Sequence, residues 1–237
     1  MISERIDEIR QRIAHACRRA GRAGSDVTLV AVAKTFPAGA VREAAHAGAA
    51  DIGENYVQEL LGKRADLAGE AIRWHFIGHL QSNKVKYIAD WIHMVHAVDA
   101  EPLVREIDRR AAQAKRTVDC LVEVNTTGEE SKFGVSPGAA VALVRALAPY
   151  ENVRIAGLMT IGPFLPDPDA SRPMFRRLRE LKEEIAALGQ SNVTMLHLSM
   201  GMTGDFEVAI EEGATHVRIG TAIFGKRTKP DHQQRTP

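Results

Sequence analysis

The sequence predicts an α/β protein built as a single TIM-type (β/α)8 barrel with an extra N-terminal helix. Eight short apolar segments alternate with helical segments along the chain, and parallel strands need connections of that length. Eight is also the number of strands that closes into such a barrel. An open, doubly wound sheet is the alternative, but it requires a glycine-rich turn after its first strand, where Lys34-Thr35-Phe36-Pro37 stands instead.

The first element is an amphipathic helix, predicted over residues 1–22. Ile2, Ile6, Ile9 and Ile13 recur at spacings of three and four residues, which places them on one face, and Gly21 follows near the helix end. The predicted strands are Thr28–Ala33, Asp51–Glu54, Trp74–Ile77, His93–Val98, Asp119–Val124, Arg154–Met159, Thr194–Ser199 and His216–Ile219. Helices are predicted near residues 38–48, 56–68, 82–90, 101–115, 137–149, 169–188 and 204–213.

No linker-like segment divides the chain. We predict one barrel domain over residues 1–227, with the barrel itself at 28–225, followed by a polar C-terminal tail at 228–237. The segment Thr160–Pro168 is rich in proline and is predicted to be a loop over the end of the sixth strand.

Charge and cysteine content narrow the possible functions. With 31 basic and 30 acidic residues and a net charge of +1, the chain gives no electrostatic case for nucleic acid or a membrane surface. Cys17 and Cys120 lack the spacing of a disulfide framework or a zinc site. No apolar signal core or membrane-length segment is present, so we expect a cytoplasmic protein. Nothing in the pattern demands a subunit interface, and we expect a monomer.

Lys34 closes the apolar, β-branched run that begins at Thr28. A lysine at the end of a buried strand is held on rigid backbone beside apolar packing. Desolvation lowers the pKa of such an amine and makes it available for Schiff-base chemistry. For a single lysine of this kind, the alternative is an amine that reaches solvent or pairs with an acid.

Two turns near the end of the chain are predicted to bind phosphate. Ser199–Gly204 follows the seventh strand, and Gly220–Ala222 follows the eighth; both offer hydroxyls, small residues and backbone N–H groups. Barrels commonly bind phosphate after these two strands. The alternative is a pair of ordinary turns whose serine and threonine residues cap helices.

Arg218 supplies a third feature of the same end. Strand alternation places it on the face that also carries Gly220, and Lys34 is expected to point into the same opening. These three features suit pyridoxal 5′-phosphate (PLP): an amine would meet its aldehyde, a phosphate-binding turn its phosphate, and a guanidinium its ring nitrogen. The alternative for Arg218 is an ion pair with Glu54 or Glu123.

Other reactive side chains have structural explanations. His75, His93 and His96 lie on two strands without a matching carboxylate, so no metal site is predicted. Cys120 lies inside a strand and is expected to be packed rather than nucleophilic. Lys132 is expected to be a solvated charge, with a position beside the phosphate as its alternative.

Seven motifs carry a family resemblance. They are VAKT at 32–35, GENYVQE at 53–59, WHFIGHLQSNK at 74–84, SKFG at 131–134, GLMT at 157–160, LSMGMTGDF at 198–206 and VRIGTAIFG at 217–225. With these motifs the chain resembles the pyridoxal phosphate homeostasis protein family, from the first helix to Lys226.

The resemblance implies a PLP-binding barrel similar to the N-terminal domain of bacterial alanine racemases. Lys34 then matches the Schiff-base lysine, and Arg218 matches the arginine that faces the pyridine nitrogen. Ser199, Gly220 and Thr221 match phosphate contacts. The resemblance also assigns two further residues to the cofactor pocket, Asn55 and Met200.

The expected function is a non-catalytic PLP carrier, with no catalytic residues, that controls free PLP and delivers it to apo forms of PLP-dependent enzymes. The alternatives are a PLP-dependent amino-acid racemase and an aldolase in which Lys34 attacks a substrate carbonyl. After the eighth strand fewer than twenty residues remain in the sequence, so we expect no second domain to provide an opposing base.

Overall fold

Eight parallel strands close into a barrel in chain order, which confirms the predicted fold class. The structure is a computed structural model that describes residues 1–127, 133–163 and 165–226. Lys132 and the predicted tail at 228–237 lie outside the described residues. The strands are β1 Thr28–Val32, β2 Asp51–Glu54, β3 Arg73–Phe76, β4 Met94–Val98, β5 Val118–Glu123, β6 Val153–Met159, β7 Val193–Ser199 and β8 His216–Ile219.

Helices surround the barrel. The described α-helices are α1 Ile2–Arg19, α2 Ala38–His46, α3 Val57–Asp66, α4 Glu101–Gln113, α5 Pro137–Ala146, α6 Arg172–Ala186, α7 Phe206–Glu211 and α8 Thr221–Phe224. Helix α1 buries Ile6, Ile9 and Ile13 and packs against α2, α7 and α8. It ends at Arg19, before the predicted end at residue 22, because Gly21 adopts a φ of +66°.

Three predicted helices are corrected by the structure. The segment predicted at 82–90 is a short 3₁₀ helix, Ser82–Tyr87; only Val85 of its residues is buried, so little packing supports a longer helix. The segment predicted at 137–149 ends at Ala146, because Pro149 disfavours helical backbone before it. The segment predicted at 169–188 begins as a 3₁₀ helix, and α6 starts only at Arg172, followed by Pro173.

Two apolar regions hold the barrel together. The larger one fills the space between the strands and the surrounding helices, as expected when both faces of a parallel sheet are covered. The smaller one lies apart from it and consists of Met94, Ala97, Leu121, Ala156 and Met159. Charged and imidazole side chains are also buried on the strands, and these define the site below. Among the described helices, none has the length and apolar character needed to cross a membrane.

Candidate functional site

Lys34 follows β1 at the C-terminal end of the barrel, where it is half-buried. The backbone is held on both sides of it. Lys63 on α3 donates from Nζ to the carbonyl oxygen of Ala33 (2.7 Å), and Glu59 Oε2 accepts from the N–H of Thr35 (2.9 Å). Thr35 has a φ of +70°, which β-branched residues rarely adopt. These two contacts therefore stabilise a sharp turn immediately after Lys34.

Lys63 also forms a buried ion pair. Its Nζ lies 2.5 Å from Glu54 Oε1 and 3.4 Å from Glu59 Oε2. Burial raises the pKa of Glu54 to about 6, although the hydrogen bond from Lys63 opposes this shift. Sequence reasoning did not identify this group; the spacing of four residues between Glu59 and Lys63 on one helix was the available signal.

The strand ends that carry Lys34 and Gly220 are neighbours, because β8 pairs with β1. A Cβ atom on Gly220 would lie 3.4 Å from the carbonyl oxygen of Val32. Phe36, two residues after Lys34, stacks on Phe224 of α8 with ring centroids 5.1 Å apart. The structure therefore brings Lys34 together with the turn that follows β8.

The turns after β7 and β8 are joined to each other. Thr221 Oγ1 donates to Thr203 Oγ1 (3.3 Å), and the Asp205 carboxylate accepts from the N–H of Met202 (2.7 Å). Gly201 has a φ of +90°, and a Cβ atom there would overlap α7. Hydroxyls, small residues and tight turns lie side by side, which is the arrangement that a phosphate-binding site requires.

Arg218 lies inside the barrel and is 5% exposed. It donates from Nη1 to Ser199 Oγ (2.7 Å) and from Nη2 to the carbonyl oxygen of Thr160 (2.8 Å). Burial lowers the pKa of Arg218 to about 10, while the charges of Glu123 and Asp205 act in the opposite direction. The ion pair with Glu54 that the sequence left open does not form, because Glu54 pairs with Lys63.

The remaining cofactor candidates occupy three different environments. Ser199 is fully buried, and its hydroxyl contacts Arg218. Asn55 is half-buried after β2, and its Oδ1 is a buried atom without a hydrogen-bond partner among the described residues. Met200 directly follows β7; its side chain is buried in the larger apolar core, and its N–H donates to the backbone carbonyl oxygen of His216. The structure therefore does not bring the Met200 side chain to the opening.

Five histidines lie close together, four on strands β3, β4, β7 and β8 and His93 immediately before β4, with ring centroids of contacting pairs 4.8 to 6.0 Å apart. Within the described part of the chain, Asp51, His75 and His93 offer possible metal-ligand atoms within 4.8 Å of one another. Asp51 is thus the carboxylate that sequence reasoning did not find. Both of its oxygens already accept hydrogen bonds from Arg73, at 2.7 and 2.5 Å.

Comparison with known proteins gives a consistent result. Residues 5–228 match the family model described as alanine racemase, N-terminal domain. The chain is 46% identical over 224 residues to the pyridoxal phosphate homeostasis protein of Aquifex aeolicus, covering 94% of this chain and 97% of that one. It is 44% identical over 230 residues to the protein of that name from Pseudomonas aeruginosa, covering 95% and 96%.

Solved structures agree with the family match. PipY of Synechococcus elongatus PCC7942, solved with PLP bound, is 32% identical, with a TM-score of 0.82 over 95% of this chain and all of that one. The alanine racemase of Corynebacterium glutamicum, at 15% identity and a TM-score of 0.70, shares the fold over 93% of this chain and 62% of that one. By its sequence, its fold and the residues at its strand ends, this chain belongs to the pyridoxal phosphate homeostasis protein family.

Proposed function

We propose that this chain binds PLP at the C-terminal end of the barrel as a Schiff base on Lys34, and serves as a PLP carrier in the cytoplasm. The observation that carries the proposal is the pairing of β1 with β8. Lys34 follows β1, Arg218 lies on β8, and the Gly220-Thr221 turn follows β8. The PLP-bound structure of a relative at 32% identity supports the same cofactor.

The residues at this end of the barrel fit the cofactor. Asn55 Oδ1 is buried without a hydrogen-bond partner among the described residues, as expected for an acceptor that a bound molecule would satisfy. At Gly220 a Cβ atom would stand 3.4 Å from the Val32 carbonyl, so a glycine keeps the opening clear beside Lys34. Both residues follow strands that pair with β1, the strand that leads to Lys34.

Each residue has a distinct role in this proposal. When bound, PLP supplies an aldehyde carbon and an electron-withdrawing ring. Lys34 provides the amine that joins the aldehyde, on backbone held by Lys63 and Glu59. The joined turns hold the phosphate through hydroxyls and backbone N–H groups. Arg218 donates an N–H toward the ring nitrogen, and its pKa, lowered to about 10 by burial, still keeps it charged at neutral pH.

The charge of Arg218 supports a carrier role. A guanidinium at the ring nitrogen disfavours protonation of that nitrogen, which weakens the ring as an electron acceptor. The family relatives support the same role, because the match covers 97% of the Aquifex aeolicus homeostasis protein at 46% identity. Delivery of PLP to apo-enzymes and a monomeric state complete the proposal.

The direct test is the identity of the modified lysine. The purified protein, loaded with PLP, is treated with borohydride and mapped by peptide mass spectrometry. The pyridoxyl group should be found on Lys34, and the visible absorbance should be lost in Lys34→Ala. Lys86→Ala, which changes an exposed lysine on the 3₁₀ helix, should keep both. Labelling of another lysine in the wild type would contradict the assignment.

A further inference from the structure

A continuous chain of hydrogen bonds crosses the barrel from the proposed ring-nitrogen site to the opposite end. Arg218 Nη1 lies 2.7 Å from Ser199 Oγ, which lies 2.9 Å from His96 Nδ1. His96 Nε2 lies 2.8 Å from His75 Nδ1, and His75 Nε2 lies 3.0 Å from Asp51 Oδ1. Asp51 and the half-exposed Arg73 form a two-point ion pair that closes the chain.

The two ends of this chain determine the direction of its hydrogen bonds. The guanidinium of Arg218 can only donate, so Ser199 Oγ accepts at one end. Burial would raise the pKa of Asp51, but hydrogen bonds from His75 and Arg73 outweigh it and hold the pKa well below its usual range. The Asp51 carboxylate therefore only accepts, and His75 carries a proton on Nε2. Burial holds the pKa of His96 well below its usual range, so His96 is neutral and carries a single N–H.

Two arrangements remain, and they differ in the charge on His75. If His75 is neutral, His96 donates from Nε2 to His75, and Ser199 donates its hydroxyl proton to His96. If His75 is charged, the His75–His96 and His96–Ser199 hydrogen bonds both reverse. The barrel then holds a buried imidazolium in addition to the buried guanidinium of Arg218. His75 is 0% exposed and Arg73 already neutralises Asp51, so the neutral arrangement avoids an additional buried charge.

In the neutral arrangement all donors point from Arg218 toward Asp51. Lone pairs then face the buried cation and N–H groups face the anion, so each bond polarises the next. The two groups that Arg218 contacts directly, a hydroxyl and a backbone carbonyl, are both uncharged. The hydroxyl proton of Ser199 is committed to His96, which leaves the Ser199 side chain to hold Arg218 rather than the phosphate.

We propose that His96 and His75 are positioning residues for the cofactor site: they orient the Ser199 hydroxyl as an acceptor and thereby hold Arg218 against the pyridine nitrogen. The Asp51–Arg73 pair at the other end of the barrel anchors this chain. The inference rests on the proposed function, because the ring nitrogen is the group that Arg218 would contact. It also reassigns Ser199 from the phosphate to the guanidinium.

The first test needs neither a variant nor a cofactor. In the ¹⁵N-histidine NMR spectrum of the wild-type apo-protein, His96 and His75 should each show a protonated Nε2 and an unprotonated Nδ1. Protonation at Nδ1 of either ring would overturn the proposed direction. Because this measurement does not depend on PLP, it distinguishes an error in the proposed hydrogen-bond direction from an error in the PLP proposal.

The second test is a double-mutant cycle on PLP affinity, measured by equilibrium titration. His96→Leu and Ser199→Ala should each weaken PLP binding about tenfold, the size expected for disturbing a hydrogen bond to a charged group. The double variant should lose no more than either single one, since both break the same chain. His93→Leu removes a ring 5.1 Å from His75 that lies outside the chain, and it should leave affinity unchanged.

A loss of about a hundredfold in the double variant would contradict the proposed hydrogen-bonded chain, because additive losses indicate that the two residues act independently on PLP affinity. An equal loss in His93→Leu would also overturn it. Absence of PLP binding by the wild type would reject the proposed function, and the NMR result would then stand alone.

Discussion

Lys63 and Ala33 are joined by a hydrogen bond from the lysine Nζ to the backbone carbonyl oxygen, at 2.7 Å. This contact immediately precedes Lys34, and Glu59 holds the N–H of Thr35 immediately after it. A buried lysine on a surrounding helix thus controls the backbone that carries the reactive one.

Substitution Lys63→Met should destabilise the fold by about 3–5 kcal/mol, because it leaves the Glu54 carboxylate buried without its cation. It should also weaken PLP binding, since the Ala33 carbonyl loses its donor. The double variant Lys63→Met with Glu54→Leu should recover most of the free energy of unfolding but not the PLP affinity. Urea unfolding and PLP titration measure the two effects. Full recovery of affinity in the double variant would show that the backbone contact is unimportant.

Glu123 should make stability depend on pH. Burial, and secondarily the charge of Asp99, raises the pKa of Glu123 to about 7 from an unfolded value near 4.5. The folded state therefore binds the proton more tightly, so this contribution is fully present below about pH 4.5 and is lost as the pH rises through 7.

The measurement compares the free energy of unfolding at pH 5 and pH 8. Wild type should lose about 2.5 kcal/mol more than Glu123→Gln over this interval, the size that such a pKa difference implies. The variant serves as the reference because buried histidines with lowered pKa values, such as His96 and His216, act with the opposite sign in both proteins. Equal pH dependence in the two proteins would refute the prediction.

Phosphate should contribute most of the non-covalent affinity for PLP. Pyridoxal, which lacks the phosphate, should bind on the order of a hundredfold more weakly, because several charge-assisted hydrogen bonds are lost. Thr221→Val should weaken PLP binding about tenfold and leave pyridoxal binding unchanged. Thr194→Val, at an exposed position at the other end of β7, is the matched control. Equal affinities for PLP and pyridoxal in equilibrium titration would exclude a phosphate site at these turns.

The protein should transfer PLP without racemising amino acids. Racemisation removes the Cα proton on one face and returns a proton on the other, and Lys34 serves one face only. Incubation of the loaded protein with L-alanine in deuterated water should give negligible D-alanine by chiral analysis. Incubation with an apo form of a PLP-dependent enzyme should restore that enzyme's activity. Rapid formation of Cα-deuterated D-alanine, abolished in Lys34→Ala, would favour a racemase instead.

The sequence predicted the fold correctly because short segments decide it. Eight strands separated by long connections predict a closed parallel barrel, since parallel neighbouring strands require such connections and eight of them close into a barrel. The sequence also placed Lys34, Arg218 and Gly220 toward the same end of the barrel, because all parallel strands of a closed barrel point their carboxyl ends to one opening. The corrections to the helices concerned their ends and, for the segment at 82–90, the type of helix, because burial rather than propensity decided between an α-helix and a 3₁₀ helix there.

The sequence by itself therefore determined the fold, the family and the strand ends that carry Lys34, Arg218 and Gly220. Only the tertiary structure showed that Lys63 reaches the carbonyl of Ala33, and that His96 joins Ser199, 103 positions away, to His75. The physical reason is that alternation along a strand gives the face of a side chain but not its partner. A partner from a distant strand depends on the register and on the closure of the barrel, which no local pattern encodes.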